Sequence, residues 1–164
     1  MGIDPVLLDS GHLVEGFDCG KQPLNDFLIR HALSSQQGNS SRTYVNVQEG
    51  CVAGYFTLAA SAVLFESAPE RMSKGLARHA VPVILMARYA VDVRFQGQGL
   101  GGLLVRNAMQ RVLSVSREVG VRAMIVHAKD DEARERYLRI GMESFESNPY
   151  HLYLLTKDIA KLIG

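Results

Sequence analysis

Arg88-Tyr89-Ala90-Val91-Asp92-Val93-Arg94-Phe95-Gln96-Gly97-Gln98-Gly99-Leu100-Gly101-Gly102 is the stretch whose reading decides the fold. Before it, Val81 to Val91 is rich in apolar and β-branched residues and reads as a central strand. After it, Leu100, Leu103, Leu104, Ala108, Val112 and Val115 recur on one helical face. A strand that empties through a glycine-rich turn into a helix gathers free backbone N–H groups and the positive end of the helix dipole in one place. That is a receptor for a pyrophosphate. Glycine at 97, 99 and 101 removes Cβ atoms that would keep phosphate oxygens off the amides, and Arg94 or Gln96 adds a side-chain donor.

The spacing has a second reading. Gly97-Gln98-Gly99-Leu100-Gly101-Gly102 also satisfies the GxGxxG fingerprint of dinucleotide-binding folds, and Asp130 stands near the end of the next strand. That fold needs several βα units after the fingerprint, whereas here hairpin-like sequence precedes it and little chain follows. An acyl-coenzyme A site uses both halves. A turn without a ligand is the weakest reading, because glycines at a helix start weaken the helix for no packing gain.

Working outward, Leu24, Phe27, Leu28, His31 and Ala32 predict an amphipathic helix. Thr43 to Val47 and Cys51 to Leu58 read as hairpin strands around Glu49-Gly50. Residues 67–79, with Pro69 and Gly75, read as a basic loop or short helix. Gly120 is a candidate stop for the long helix, Ala123 to Ala128 a short buried strand, and Asp130 or Asp131 a cap for a helix reaching Gly141. Phe145 and Leu152 to Leu155 mark two last strands. This order predicts one α/β domain over residues 1–164, with a mixed sheet covered by helices.

The bulk numbers exclude more than they assign. With 164 residues, 47% hydrophobic, 21% charged and a net charge of +1, the chain is neither disordered nor fibrous and has no global pull toward nucleic acid. Cys19 and Cys51 form no ligand pattern, and the histidines lack ligand spacing, so no metal site is expected. His127 reads as a core residue of a buried strand. Asp130, Asp131 and Glu132 read as helix-capping acids. No apolar run approaches the roughly 20 residues that span a bilayer, and Asp4 and Asp9 stand where a secretory signal would be basic. The expectation is a cytoplasmic protein with no membrane partner.

The stretch Tyr89 to Gly101 resembles the Q/R-x-x-G-x-G/A motif of the GNAT N-acetyltransferases. The resemblance implies a mixed, mostly antiparallel central sheet with helices on both faces, and acetyl-CoA as cosubstrate. It implies that the backbone at Ala90 and Val91 holds the pantetheine arm and polarises the thioester carbonyl. Arg94, Gly97, Gln98, Gly99, Leu100, Gly101 and Gly102 would then bind the pyrophosphate. A narrower similarity covers Phe17-Asp18-Cys19-Gly20, Ser41 to Val45, Val81-Pro82-Val83, Arg88 to Asp92 and Gly120 to Ala123. It is to the acetyltransferase toxins of bacterial toxin-antitoxin pairs. That likeness implies acetylation of the α-amino group of an aminoacyl-tRNA, a block of translation, a ribbon-helix-helix antitoxin as partner, and homodimerisation.

Tyr137, in Ala133-Arg134-Glu135-Arg136-Tyr137, stands where that family carries a general-acid tyrosine. Arg71, Lys74, Arg78 and Arg88 are the candidate contacts to tRNA phosphates, with Arg30 and Arg42 read as solvated. Two alternatives stand beside this reading. One is an acetyltransferase for a small amine or a protein; the other is a non-catalytic acyl-CoA-binding partner of a DNA-binding antitoxin.

Overall fold

The computed structural model describes residues 4–164, which form two compact units. The first comprises residues up to Ala59 together with Ala87–Ala108. It holds strand β1 (Val6–Leu7), helix α1 (Gln22–Asp26), a π-helical turn (Phe27–His31), helix α2 (Ala32–Gln37) and strand β2 (Arg42–Gln48). It also holds most of β3 (Cys51–Val63), the end of β4 (Val81–Val91) and the start of α4 (Leu100–Ser116).

β1, β2 and β3 pair antiparallel in that order, with Val6 opposite Val45 and Tyr44 opposite Phe56. Glu49 and Gly50 both take positive φ in the hairpin turn, the conformation that matches strand twist. Phe17, Leu24, Leu28, Ala32, Val45, Tyr55 and Ala90 form the buried cluster. The Gln36 side chain fastens α2 to the sheet, donating to the Leu8 carbonyl and accepting the Thr43 N–H.

The second unit comprises Ala60–Met86 and Met109–Gly164. It holds α3 (Glu70–Ser73), the start of β4, the C-terminal half of α4, β5 (Ala123–His127), α5 (Asp131–Ile140), β6 (Glu143–Ser144), β7 (His151–Leu155) and α6 (Thr156–Ile163). Its strands run β4-β5-β7-β6. β4 and β5 are parallel over Val83–Met86, while β5–β7 and β6–β7 are antiparallel. Met72, Val81, Val83, Ala123, Ile125, Phe145, Tyr153 and Leu155 make its core. Arg122 explains part of the Gly120 to Ala123 block: its guanidinium donates to the carbonyls of Met72 and Lys74 and so caps the C-terminal end of α3.

Several expectations need correcting. α4 stops at Ser116, four residues before Gly120, and Gly120 has no left-handed φ; the chain leaves through turns closed on the Ser114 and Val115 carbonyls. β3 runs on to Val63, and Phe145 lies one residue past β6. His127 is exposed and stacks on His151, with ring centroids 3.9 Å apart. Burial, then the neighbouring His151, lowers the His127 pKa. α6 was not foreseen: its N-cap position is Leu155, which has no side chain able to cap it, and the hydroxyl of its first residue, Thr156, donates to the Val121 carbonyl. Among the described residues no helix is long and apolar enough to cross a membrane.

Candidate acetyl-CoA site and basic surface

Asp92 is the anchor of the glycine turn, and only 1% of it is exposed. Its Oδ1 accepts the Arg94 amide at 2.9 Å and Arg94 Nε at 3.0 Å, and its Oδ2 accepts the Asp18 amide at 3.1 Å. Its own N–H donates to the Ala53 carbonyl. Asp18 returns the bond, its carbonyl accepting the Val93 N–H, while its carboxylate binds the Gly20 amide and the Asn25 side chain. Gln96 closes the ring by donating to the carbonyls of Val91 and Cys19. The segment Phe17 to Gly20 is therefore the bracket that holds the end of β4 and the turn in place.

Burial alone pushes the Asp92 carboxyl up. The side chain and amide of Arg94 and the amide of Asp18 outweigh that and hold it below its ordinary 3.8. The stabilisation is thus present above that value and lost as pH falls through the folded one. Asp92→Asn should cost about 1–3 kcal/mol at neutral pH. By denaturant unfolding at a series of pH values, the gap to the natural chain should hold down to about pH 5 and shrink below it.

Past this bracket the amides are free. Among the described residues no protein acceptor meets the N–H groups of Gly97, Gln98, Gly99, Leu100, Gly101 or Gly102. Gly97 and Gly99 have φ of 77° and 85°, and a Cβ added at either would point into open space, the space a phosphate needs. At Gly101 the reason is a close approach: a Cβ would come within 2.5 Å of the Tyr89 Oη. At Gly54 on β3 it would come within 2.9 Å of Leu104 and 3.2 Å of the Ala90 carbonyl, so β3 must carry glycine where α4 starts. The turn therefore fits a pyrophosphate through its backbone. Arg94 Nε and one terminal nitrogen of its guanidinium donate to Asp92, with a further contact to Cys51 Sγ at 3.4 Å. Those bonds, first the one to Asp92, raise its pKa. Gln98 donates back to the Arg94 carbonyl.

Ala90 and Val91 end β4. Its parallel pairing with β5 covers Val83–Met86. Ala90 is buried, and the Val91 carbonyl is taken by Gln96.

The four candidate cations divide. Arg71, on α3, is clasped by Glu143 and by Asp158, the latter at 2.9 Å, and so staples its own unit. The side chains of Lys74, Arg78 and Arg88 make no hydrogen bond or ion pair among the described residues. Arg78 lies over the Phe65 ring at 4.9 Å, and Arg88 over the Phe27 ring at 4.3 Å.

Tyr137 lies on α5 in the second unit, 9% exposed. Asp130 caps the helix by accepting the Ala133 amide at 2.8 Å, and Gly141, in the left-handed region, ends it. The Met142 N–H donates to the Tyr137 carbonyl, so the turn after the helix is closed on the tyrosine's own backbone. Among the described residues no group of three or more His, Cys, Asp or Glu is placed to hold a metal.

Sequence reasoning missed Asp92, Asp18 and Asn25. The available signal was an aspartate two residues ahead of the motif arginine, in a turn where an acid side chain can accept local amides.

Comparison with known proteins follows this geometry. The chain is 40% identical over 151 residues to a tRNA-acetylating toxin of Mycobacterium tuberculosis, covering 92% of this chain and 90% of that one. The structure of AtaT complexed with acetyl-methionyl-tRNAfMet superposes with a TM-score of 0.87 at 30% identity, covering 98% of this chain and 100% of that chain. A tyrosine-to-phenylalanine mutant of the AtaT toxin, bound to the C-terminus of the antitoxin AtaR and acetyl-CoA, matches with a TM-score of 0.81 at 30% identity, over 96% of each chain. The acetyltransferase (GNAT) family model matches residues 14–142, and the chain belongs to that family.

Proposed function

We propose that the chain transfers the acetyl group of acetyl-CoA to the α-amino group of an aminoacyl-tRNA and so stops translation. The observation that carries this reading is the row of unpaired amides from Gly97 to Gly102 at the start of α4, which suits the coenzyme's pyrophosphate. The acceptor half is supported by the similarity to a tRNA-acetylating toxin and by three cations whose side chains make no hydrogen bond or ion pair among the described residues.

Bound acetyl-CoA would supply an activated thioester. The chain's own part is to hold it, orient it and manage one proton. The amides of Ala90 and Val91 are assigned to the pantetheine arm and the thioester oxygen, where preorganised N–H donors stabilise developing charge. An α-amino group titrates at about 7.7–8.0, so a useful fraction is already neutral near pH 7 and no strong protein base is needed. The phenol of Tyr137 donates a proton to the departing thiolate. Lys74, Arg78 and Arg88 contact phosphates of the tRNA, whereas Arg71 is held by Glu143 and Asp158. The enzyme works in the cytoplasm, where charged tRNA is, and its partner is a ribbon-helix-helix antitoxin, in keeping with the AtaT complex with AtaR.

The test is incubation with labelled acetyl-CoA and a mixture of charged and uncharged tRNA. Label on charged tRNA alone is the expected result; coenzyme release with other amines but not with tRNA would favour a small-molecule or protein substrate. Replacing Lys74, Arg78 and Arg88 one at a time by Ala should weaken tRNA binding and flatten its salt dependence. Each lost phosphate contact should lower the log–log slope by about 0.7–0.9, read from binding isotherms at several salt concentrations.

A further inference from the structure

Phe27 has no role in the chemistry described so far, yet it is the floor on which Arg88 lies. The guanidinium carbon sits 4.3 Å from the centre of the Phe27 ring. That ring is stacked on Tyr55, with centroids 6.4 Å apart and planes 21° from parallel, and Tyr55 in turn meets Phe17 edge-on at 5.5 Å. The Tyr55 hydroxyl donates to the Leu24 carbonyl at 2.7 Å, so the foot of the column is bolted to α1. Phe17 and Tyr55 are both buried. Phe27 itself opens the π-helical turn Phe27–His31, a rare conformation that collects at functional sites.

At the other end of the column, Arg88 is half-buried on β4, two residues before Ala90. Among the described residues no carboxylate, carbonyl or hydroxyl takes any of its N–H donors. A cation partly withdrawn from water with its donors unspent is costly unless something outside the chain completes it. With the ring beneath its central carbon, the guanidinium has one face covered and is restricted in the planes it can adopt. A planar fork of this kind suits the paired oxygens of a phosphate.

We propose that Phe27 is a positioning residue for the acceptor. Its ring, fixed by Tyr55 and the π turn, sets the plane of the Arg88 guanidinium so that the fork meets a phosphate of the aminoacyl-tRNA. This rests on the tRNA reading above. Arg78 over Phe65 is a similar pair, but Arg78 is exposed and so keeps its water.

The experiment is steady-state kinetics on the full chain, varying aminoacyl-tRNA at saturating acetyl-CoA and then the reverse. The variants are Phe27→Leu, Phe27→Tyr, Arg88→Ala, Arg88→Lys and the Phe27→Leu/Arg88→Ala pair. Phe27→Leu should raise the KM for tRNA about three- to thirtyfold, with kcat and the KM for acetyl-CoA unchanged. Phe27→Tyr, which keeps the ring, should behave as the natural chain. Phe27→Leu should add nothing once Arg88 is Ala. Arg88→Lys, which keeps the charge but loses the planar fork, should be as poor as Arg88→Ala, and this holds even if Phe27→Leu fails to fold.

Full additivity of Phe27→Leu and Arg88→Ala would overturn the proposal. So would Arg88→Lys matching the natural chain. A rise in the KM for acetyl-CoA in place of tRNA would assign the fork to a coenzyme phosphate and also overturn it. An active natural chain whose Arg88→Ala variant keeps its KM for tRNA would sink this proposal alone. A natural chain that acetylates no charged tRNA would sink the functional reading and this proposal with it.

Discussion

Tyr137→Phe should lower kcat by about 10²- to 10⁴-fold while leaving acetyl-CoA affinity unchanged. The substitution removes one oxygen from a helix residue that is 9% exposed and leaves the ring in place, so packing around α5 is retained. The lost oxygen is the proposed proton source for the thiolate. The amine still attacks, but the leaving group must then depart as an anion or wait for water. Single-turnover kinetics on charged tRNA, with isothermal titration of acetyl-CoA in parallel, separates the two effects. A kcat within a few-fold of the natural chain would make Tyr137 a packing residue.

Gly99→Val should have the second-largest effect, on acetyl-CoA binding. At φ 85° a β-branched residue is strained by about 1–3 kcal/mol, and its Cβ enters the open space in front of the amide row. Relaxing the strain also re-aims neighbouring amides, each worth about 0.5–1.5 kcal/mol as a hydrogen bond. The sum corresponds to a loss of roughly 100-fold or more in affinity. Gly120→Val is the control: Gly120 has neither a left-handed φ nor a neighbour within 4 Å of an added Cβ, and acetyl-CoA binding should be unaffected. Titration calorimetry on both variants decides it. Equal affinities would mean that the pyrophosphate lies elsewhere.

The legible parts of this chain are those in which one local pattern has one physical outcome. Apolar periodicity placed the start of α4 at the glycines, Gly97 and Gly99 marked the turn, and Asp130 or Asp131 with Gly141 bounded α5. α6 was not legible, because its opening threonine bonds the Val121 carbonyl and the helix follows a buried strand without punctuation. Gly120 misled for the opposite reason: a glycine near a helix end usually caps it, but α4 has already ended at Ser116. At the site, the sequence motif pointed to Arg94 as a phosphate donor, whereas its guanidinium is committed to Asp92. That commitment depends on Asp18, 74 residues away along the chain, and no window of local sequence contains both. The same holds for the basic residues. Charge counting treats Arg71 and Arg88 alike, but tertiary placement of Glu143 and Asp158 neutralises the first, and Phe27 leaves the second free to donate.

The most direct measurement is nuclease digestion of the reaction product followed by mass spectrometry of the released aminoacyl-adenosine. The account predicts a single acetyl group on the α-nitrogen of the amino acid, formed by the natural chain and strongly reduced with Tyr137→Phe over the same reaction time. An unmodified aminoacyl-adenosine after acetyl-CoA has been consumed, or an acetyl group on the nucleoside, would contradict it.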